Sequence, residues 1–367
     1  MIGYILLYIL FIQSLEKSDV YFTKVISSSK VLEMFQKLNI KLTGKIALKV
    51  HTGERNGPYY LRPSFLKNIY DYTNGTFIES NAAYTGSRHT TELHKQLLQT
   101  NGWSEYRTII MDENELNDDI LPVNNYKDIS ENIVGEHLSE FDSCIVLSHF
   151  KGHSMGGFGG ALKQLSIGFA SRAGKSNIHT SGYTKDYKSL WSHTSSQNKF
   201  TTAMADAAST IVENFENKGG IAYINILANI SKSCDCAGSS APTPKIRDIG
   251  ILSSLDPVAI DKACYDLIEK ENNDGSKDWL RQAESLLGLN TLEKAAEHGI
   301  GSLDYNLINV DSDEDNNNDK DDDDNNNESN DNDNESENDD EPIETFKNKG
   351  NYNNMKYWMI PALILII

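Results

Sequence analysis

Residues 220–227 read GIAYINIL, and residues 256–270 read DPVAIDKACYDLIEK. The first segment is a continuous apolar run rather than an alternating one, which is typical of a strand buried on both faces. The second begins with an aspartate cap followed by proline at the first helical position, a pattern that predicts the start of a helix. A buried strand and a capped helix of this kind are the building units of an α/β fold.

The same alternation of strands and helices recurs along most of the chain. Further apolar runs predict strands at residues 45–51, 76–80, 107–112, 144–150 and 249–255. Helical patterns predict helices at residues 64–72, 89–102, 201–217 and 279–288. We therefore predict an α/β fold with a largely parallel sheet covered by helices. In such sheets a ligand binds beyond the carboxyl ends of the strands.

The acidity of the chain is concentrated near its end. The 367 residues carry a net charge of −19, but residues 311–341 alone hold 17 acidic residues and one lysine, which leaves only −3 for the rest. This stretch contains no apolar residue, so it predicts a disordered acidic spacer. The remaining body has no basic stripe, so we expect no binding to nucleic acid.

Both ends of the chain carry short apolar segments. The apolar run at residues 2–12 matches the core of a signal peptide, although a buried first strand or helix is the alternative. The last eleven residues, YWMIPALILII, fall short of the roughly 20 needed to span a bilayer and are typical of a lipid-anchor signal or a short membrane segment. We therefore expect a protein of the secretory pathway, extracellular or at the cell surface and tethered to a membrane through its C-terminal tail. The expected segments are a signal peptide at 1–18, an α/β domain at 19–310, the spacer at 311–348 and the apolar tail at 349–367.

Residues 152–157 read GHSMGG and fit the nucleophile-elbow pattern of serine hydrolases. An elbow needs a strand that runs directly into the glycine and a helix directly after it. Here the apolar run stops at Leu147, and two further glycines follow where the helix should begin. The triad would have to be completed by Asp256 or Asp261 and His298. A serine hydrolase that uses Ser154 stays as an alternative.

The same region is dense in histidine and lysine. His149, His153, Lys163 and His179 fall within about thirty residues that are rich in glycine. Imidazoles suit metal ligation and proton transfer, and glycines let a backbone approach a ligand closely. The alternative is that these are structural histidines on a flexible loop.

The four cysteines fall into two groups. Cys144 and Cys264 lie in apolar segments and are expected to be buried small side chains. Cys234 and Cys236 flank a single aspartate in a polar loop, an arrangement that suits a soft metal or a redox pair.

Several motifs in order resemble the DUF362 family, many of whose members are described as iron–sulfur-centre proteins of unknown activity. These are VHTGE at 50–54, NAAYTGSRHT at 81–90, SHFKGHSMGGFGGALKQLSIGFASRAGKSNIH at 148–179, SCDC at 233–236 and DIGILSSLDPVAID at 248–261. The resemblance implies an α/β fold and binding of a metal or cluster. The chain has no C-x-x-C-x-x-C run, so a four-thiolate cluster would need Cys144 and Cys264. Zinc or another single metal at Cys234 and Cys236 with a histidine is easier to build.

The glycine-rich segment is also similar to that of nickel-pincer lactate racemases. That similarity implies Lys163 as a cofactor tether, His179 as a metal ligand, and His149 or His153 as the acid or base. Other polar residues and glycines are then expected to form the pocket, with loop capping and helix initiation as the alternative. They are His51, Glu54, Glu79, Asn81, Arg88, Gly156, Gly157, Gly159 and Gly160.

These observations favour a metal-binding or metallocofactor-binding protein, with iron–sulfur, zinc and nickel all open. The enzyme hypothesis is redox or proton-transfer chemistry on a small acid, with His149, His153 and Lys163 as the catalytic residues. The other hypothesis is a tethered protein that binds a metal or ligand without turnover. The metal ligands expected in both cases are His179, Cys234 and Cys236, and any redox partner is unidentified.

Overall fold

The computed structural model of the chain describes residues 17–114 and 117–311. The expected acidic spacer after Asp311, the apolar tail and all but the last two residues of the expected signal peptide lie outside these residues. Ser18, the last residue of that peptide, is the first residue of a strand. Within the described part of the chain, no helix has both the length and the apolar character needed to cross a membrane.

Eight strands form one central sheet, and four more form two short hairpins. The sheet order is β12-β1-β11-β10-β7-β2-β3-β4, and the hairpins pair β5 with β6 and β8 with β9. The strands are β1 (Ser18–Thr23), β2 (Ile46–Lys49), β3 (Thr76–Glu79), β4 (Thr108–Ile110), β5 (Asp119–Pro122), β6 (Glu131–Val134), β7 (Ser143–His149), β8 (Lys151–His153), β9 (Gly157–Gly159), β10 (Ile221–Leu227), β11 (Gly250–Ser254) and β12 (Tyr305–Asn309).

Seven strands of the central sheet run in the same direction. Strand β11 pairs antiparallel with β10 and with β1, whereas the other five pairings of the sheet are parallel. All six strands that the sequence predicts lie in this sheet, so the prediction of a largely parallel α/β sheet is confirmed. The edge strand β12 and its neighbour β1 were not predicted, because each mixes apolar with polar residues.

Helices cover both faces of the sheet. Asp256 caps the predicted helix after β11, where its carboxylate accepts the Val258 and Ala259 N–H groups at 2.8 Å. The helices are α1 (Ser28–Lys37), α2 (Lys67–Thr73), α3 (Thr91–Thr100), α4 (Ala161–Lys163, continued by a π-turn at Gln164–Gly168), α5 (Arg172–His179), α6 (Gln197–Glu216), α7 (Pro257–Glu271), α8 (Asp274–Ser285) and α9 (Gly288–Glu297).

Alternate residues of the buried strands pack into two separate apolar cores. In β7, Ile145 and Leu147 face the core that includes α1 and α2, whereas Cys144 and Val146 face the core that includes α6 and α7. Both sets are fully buried. The continuous apolar runs therefore arise because each strand has a helix layer on either side.

Candidate metal and ligand site

A cavity of about 310 Å³ lies at the carboxyl end of the parallel strands, where the fold predicts a ligand site. Strands β2, β3 and β7 contribute the residues at or just past their ends, and the loop after β10 contributes Cys234 and Cys236. The predicted site residues that line the cavity are His51, Glu79, Arg88, His149, His153, Gly159, Gly160, Lys163, His179, Cys234 and Cys236.

The glycine-rich segment forms the β8–β9 hairpin beside the cavity. Gly157 has a positive φ of 79°, a backbone conformation that favours glycine, and it completes the turn. Ser154 is an exposed residue in this turn between two strands, so the strand-to-helix geometry of a nucleophile elbow is not formed there. The proposed triad histidine, His298, instead bonds Asp206 at 2.7 Å.

Three side chains in the cavity wall could hold a metal ion together. The ligand atoms of His153, Cys234 and Cys236 all lie within 4.8 Å of one another. Ligand atoms of a tetrahedral zinc site lie about 3.3–3.8 Å apart, so a small contraction would close the group around an ion. Two thiolates and one imidazole suit zinc and other thiophilic metals, and three protein ligands leave a fourth position open to the cavity.

The backbone of the hairpin sets the proton position on His153. Its Nδ1 accepts the N–H of Met155 at 3.1 Å and that of Gly156 at 2.9 Å. The neutral ring therefore carries its proton on Nε2, the nitrogen that remains to face Cys234. Burial, and then the charge of Lys163, hold the pKa of His153 below its usual value. For a metal to bind Nε2, this proton would have to move to Nδ1, which would break the two bonds from the turn.

The two thiols form a coupled pair. A hydrogen bond from the Cys236 thiol, assisted by Lys163 and His153, holds the pKa of Cys234 well below its usual value despite burial. Donation of that bond, together with burial, raises the pKa of Cys236 well above its usual value. Cys234 is therefore the thiolate of the pair, and Cys236 carries the proton that a metal would release.

The aspartate between the cysteines anchors their loop. Asp235 is buried, and its carboxylate lies 2.9 Å from Nδ1 of His149 and 2.7 Å from Nζ of Lys151. Although burial opposes it, these two partners keep the pKa of Asp235 below its usual range. The other ring nitrogen of His149 lies 2.7 Å from the Ala228 carbonyl, so both nitrogens of this predicted acid–base residue already have protein partners.

A second buried ion-pair network also supports the cavity wall. Glu79 lies 3.2 Å from Nζ of Lys49 and 3.1 Å from Nη1 of Arg88. Nε of Arg88 also donates to Glu54 at 2.9 Å. Both cations outweigh the effect of burial and hold the pKa of Glu79 well below its usual value. Arg88 also places Nη2 3.2 Å from Nε2 of His51, which helps to orient that ring.

Some predicted residues lie behind the cavity rather than in its wall. Glu54 bonds Arg88, Tyr84 and Ser87, and Asn81 bonds His94 at 3.1 Å. Gly156 and Gly157 shape the hairpin turn but are not among the lining residues. A direct role in holding a ligand stays a prediction for these four positions.

His179 lines the cavity but lies apart from the metal-ligand group. Its Nδ1 lies 2.7 Å from the Lys175 carbonyl, and its ring stacks on Phe200 with centroids 4.7 Å apart. Burial lowers the pKa of His179 to about 4, so the ring is neutral. In the described residues, the group that could hold a metal is His153, Cys234 and Cys236.

Several lining residues were not predicted from the sequence. Lys151 lies two positions from both His149 and His153, and this spacing of two places the three side chains on one side of an extended segment. That spacing was the available signal. No local pattern marks the others, which reach the cavity through tertiary packing: Tyr84, Gln164, Ile167, Lys175, Leu190 and Trp191.

The fold and this site define an α/β protein with a thiol–imidazole group at the carboxyl edge of a parallel sheet. Residues 46–266 match the model of DUF362, a domain of unknown function, and the chain belongs to that family. No curated protein matches the sequence.

Two solved structures show only a remote similarity in fold. The lactate racemase apoprotein from Thermoanaerobacterium thermosaccharolyticum is 11% identical, with 67% of this chain and 57% of that chain covered and a TM-score of 0.39. A protein from Thermotoga maritima is 16% identical, with coverage of 75% and 60% and a TM-score of 0.36. The chain therefore spans less than two thirds of the length of either structure.

Proposed function

We propose that this protein binds a thiophilic metal ion, or a cofactor that contains one, at Cys234, Cys236 and His153. The observation that carries the proposal is the approach of these three ligand atoms to within 4.8 Å of one another in a cavity wall. Membership of the DUF362 family is compatible with it. Zinc, iron and nickel are all candidates, because each accepts thiolate and imidazole ligands.

The proposed activity is redox or proton-transfer chemistry on a small molecule in the cavity. A bound metal ion would supply Lewis acidity or a redox centre at its open position. In the metal-free protein, Nε2 of His153 and the thiol of Cys236 hold protons, and a bound metal ion would take the place of both. Lys163 would add a positive charge at the cavity wall. A protein that binds the same metal without turnover is distinguished by the absence of substrate conversion.

Elemental analysis of the full chain, purified without oxygen, tests the metal site. We expect close to one equivalent of metal per chain, and loss of most of it in Cys234→Ser and in Cys236→Ser. Cys264→Ala is the matched control, because Cys264 is a buried thiol outside the cavity. A metal content that is the same in the two serine variants as in the control would refute the proposal.

Labelling with a fluorophosphonate tests the serine alternative. The expected result is no labelling that depends on Ser154, since that residue lies in a turn between two strands. Labelling that disappears in Ser154→Ala would restore the hydrolase hypothesis.

We also propose that the protein is secreted and held at a membrane through its last residues. The support is the apolar composition of residues 2–12 and 357–367, both outside the described part of the chain. Fractionation of cells that express the full chain, or a chain shortened by residues 349–367, tests it. The full chain should sediment with membranes and the shortened chain should enter the medium; equal distribution of both would contradict the proposal.

A further inference from the structure

We infer that the cavity takes an organic anion of small size, with its carboxylate held by Lys163 and Lys175 and its apolar body against Ile167, Leu190 and Trp191. The ligand class proposed here belongs to the site of the proposed function. It rests on that function in one respect, namely that a metal ion occupies the two thiols. All five of these residues line the cavity.

Most of the positive charges around the cavity are paired with carboxylates of the protein. Lys49 and Arg88 are paired with Glu79, and Lys151 is paired with Asp235. These cations are already neutralised by buried carboxylates of the protein. They support the wall and are not free to hold a ligand.

Lys163 and Lys175 differ from those cations. Across residues 17–114 and 117–311, neither ammonium group has a carboxylate within 4 Å. Lys175 is buried, and its Nζ donates one hydrogen bond, to the carbonyl of Ala170. The acid whose charge acts most strongly on it, Asp112, already accepts the N–H groups of Asn81 and Arg172. Two lysines in one cavity wall therefore retain donors for an anion.

Lys163 also lies close enough to Cys234 and Cys236 for its charge to act on both sulfur atoms. When a metal ion binds both thiolates, its positive charge neutralises theirs. Lys163 is then left without a counter-charge in a mostly buried wall, and an anionic ligand would supply it. This is the step that depends on the proposed metal site, and it predicts that zinc and the anion strengthen each other's binding.

The volume and the apolar lining of the cavity favour an organic ligand over an inorganic anion. The lining also includes the apolar side chains of Met155, Ile167, Leu190 and Trp191. Trp191 is 54% exposed and lines the cavity, so its ring offers an accessible apolar surface to a ligand. An inorganic anion would leave this surface in contact with water. The volume of about 310 Å³ is at the lower end for small-molecule sites and limits the ligand to a short chain or a single ring.

Three matched pairs of fluorinated acids and amides test the inference. The acids are 4-fluorobenzoate, 4-fluorophenylacetate and 3-(4-fluorophenyl)propionate, and each amide has the same shape without the charge. Binding to the full chain, with and without added zinc, is measured by fluorine NMR. We expect at least one acid to bind about tenfold or more tightly than its amide, and more tightly when zinc is bound.

Variants then assign the binding to the lysines. Lys163→Met should weaken binding of the acid about tenfold or more and leave binding of the amide unchanged, whereas Lys163→Arg should retain most of the affinity. Lys262→Met is the matched control, because Lys262 pairs with Asp266 and is not a lining residue. Equal binding of acid and amide, no binding of any acid, or no effect of Lys163→Met would overturn the inference.

Zinc content, measured on the same samples, separates the two proposals. Zinc binding without discrimination between acid and amide would overturn the ligand class and leave the metal site standing. Binding of an acid that depends on Lys163, in a chain that takes up no zinc, would support the ligand class and refute the metal site.

Discussion

Nδ1 of His149 lies 2.9 Å from the carboxylate of Asp235, the residue between the two cysteines of the candidate site. Lys151 reaches the same carboxylate at 2.7 Å. The loop is thus held by its middle residue, so the thiols on either side are placed against the cavity. Asp235 therefore anchors the loop, and the thiols of Cys234 and Cys236 are the groups that can bind a metal.

Asp235→Asn should destabilise the protein by about 3–5 kcal/mol, because it leaves Lys151 buried without its counter-charge. Urea unfolding measures the change. The control is Asp278→Asn, which breaks the half-exposed pair with Lys232 and should cost less than about 1 kcal/mol. Equal costs for the two variants would show that Asp235 does not anchor the loop.

His153→Asn should separate the hydrogen bonds that Nδ1 accepts in the hairpin turn from the binding of a metal by Nε2. The asparagine side chain can still accept the N–H groups of the hairpin turn, but it offers no group at the position of Nε2. We expect a change in unfolding free energy below about 1 kcal/mol and a loss of zinc affinity of about tenfold or more. His153→Ala should add the cost of the unpaired turn, about 1–2 kcal/mol. Unchanged zinc affinity in the asparagine variant would remove His153 from the ligand set.

Zinc uptake should release about one proton from the thiol pair rather than two. The low pKa of Cys234 means that it is already ionised at neutral pH, whereas the raised pKa of Cys236 keeps its proton until the metal binds. Zinc affinity should therefore rise about tenfold per pH unit between about pH 6 and 8. Competition with a chelator at several pH values measures the slope. A rise near a hundredfold per unit would mean that both thiols are protonated in the metal-free protein.

The protein should become more stable as the solution becomes alkaline, because buried Lys175 then loses its charge. Burial lowers its pKa to about 8 from the usual 10.5, so above about pH 8 the folded state loses a proton that the unfolded state still binds. Stability then rises with pH, by about 2 kcal/mol between about pH 7.5 and 9.5. Urea unfolding of the natural chain and of Lys175→Met at both pH values isolates this rise. The same rise in both proteins would contradict the assignment to Lys175.

The sequence predicts the central sheet well because its strands are unusually apolar. A strand such as β10, with helices on both faces, leaves a continuous run that local pattern alone reveals. Strand β12 could not be found in this way, since most of its residues are partly or fully exposed. Helix α5 was missed because its sequence, RAGKSNIH, has few apolar residues and is held by tertiary contacts.

The sequence singles out the three residues of the thiol–imidazole group but not their relationship, since the metal ligand expected beside the cysteines was His179 rather than His153. His153, Cys234 and Cys236 were each singled out, and the structure brings their ligand atoms together from positions about eighty residues apart. Nothing local indicates that His149 uses both ring nitrogens on the protein, or that Glu54 lies behind Arg88. These details depend on which way a loop side chain points, and tertiary packing decides that.

The parallel course of β10 and β12 has a consequence for how the molecule would sit on a surface. Both strands end at the edge of the sheet where the cavity opens, so the chain leaves the domain at Asp311 on that same edge. β12 lies three strands from β10, or about 14 Å at the usual spacing. Anchoring through the last residues would therefore attach the tether at the edge of the domain where the cavity opens. The expected spacer at 311–348, at most about 130 Å when fully extended, would set the greatest distance between that edge and the membrane.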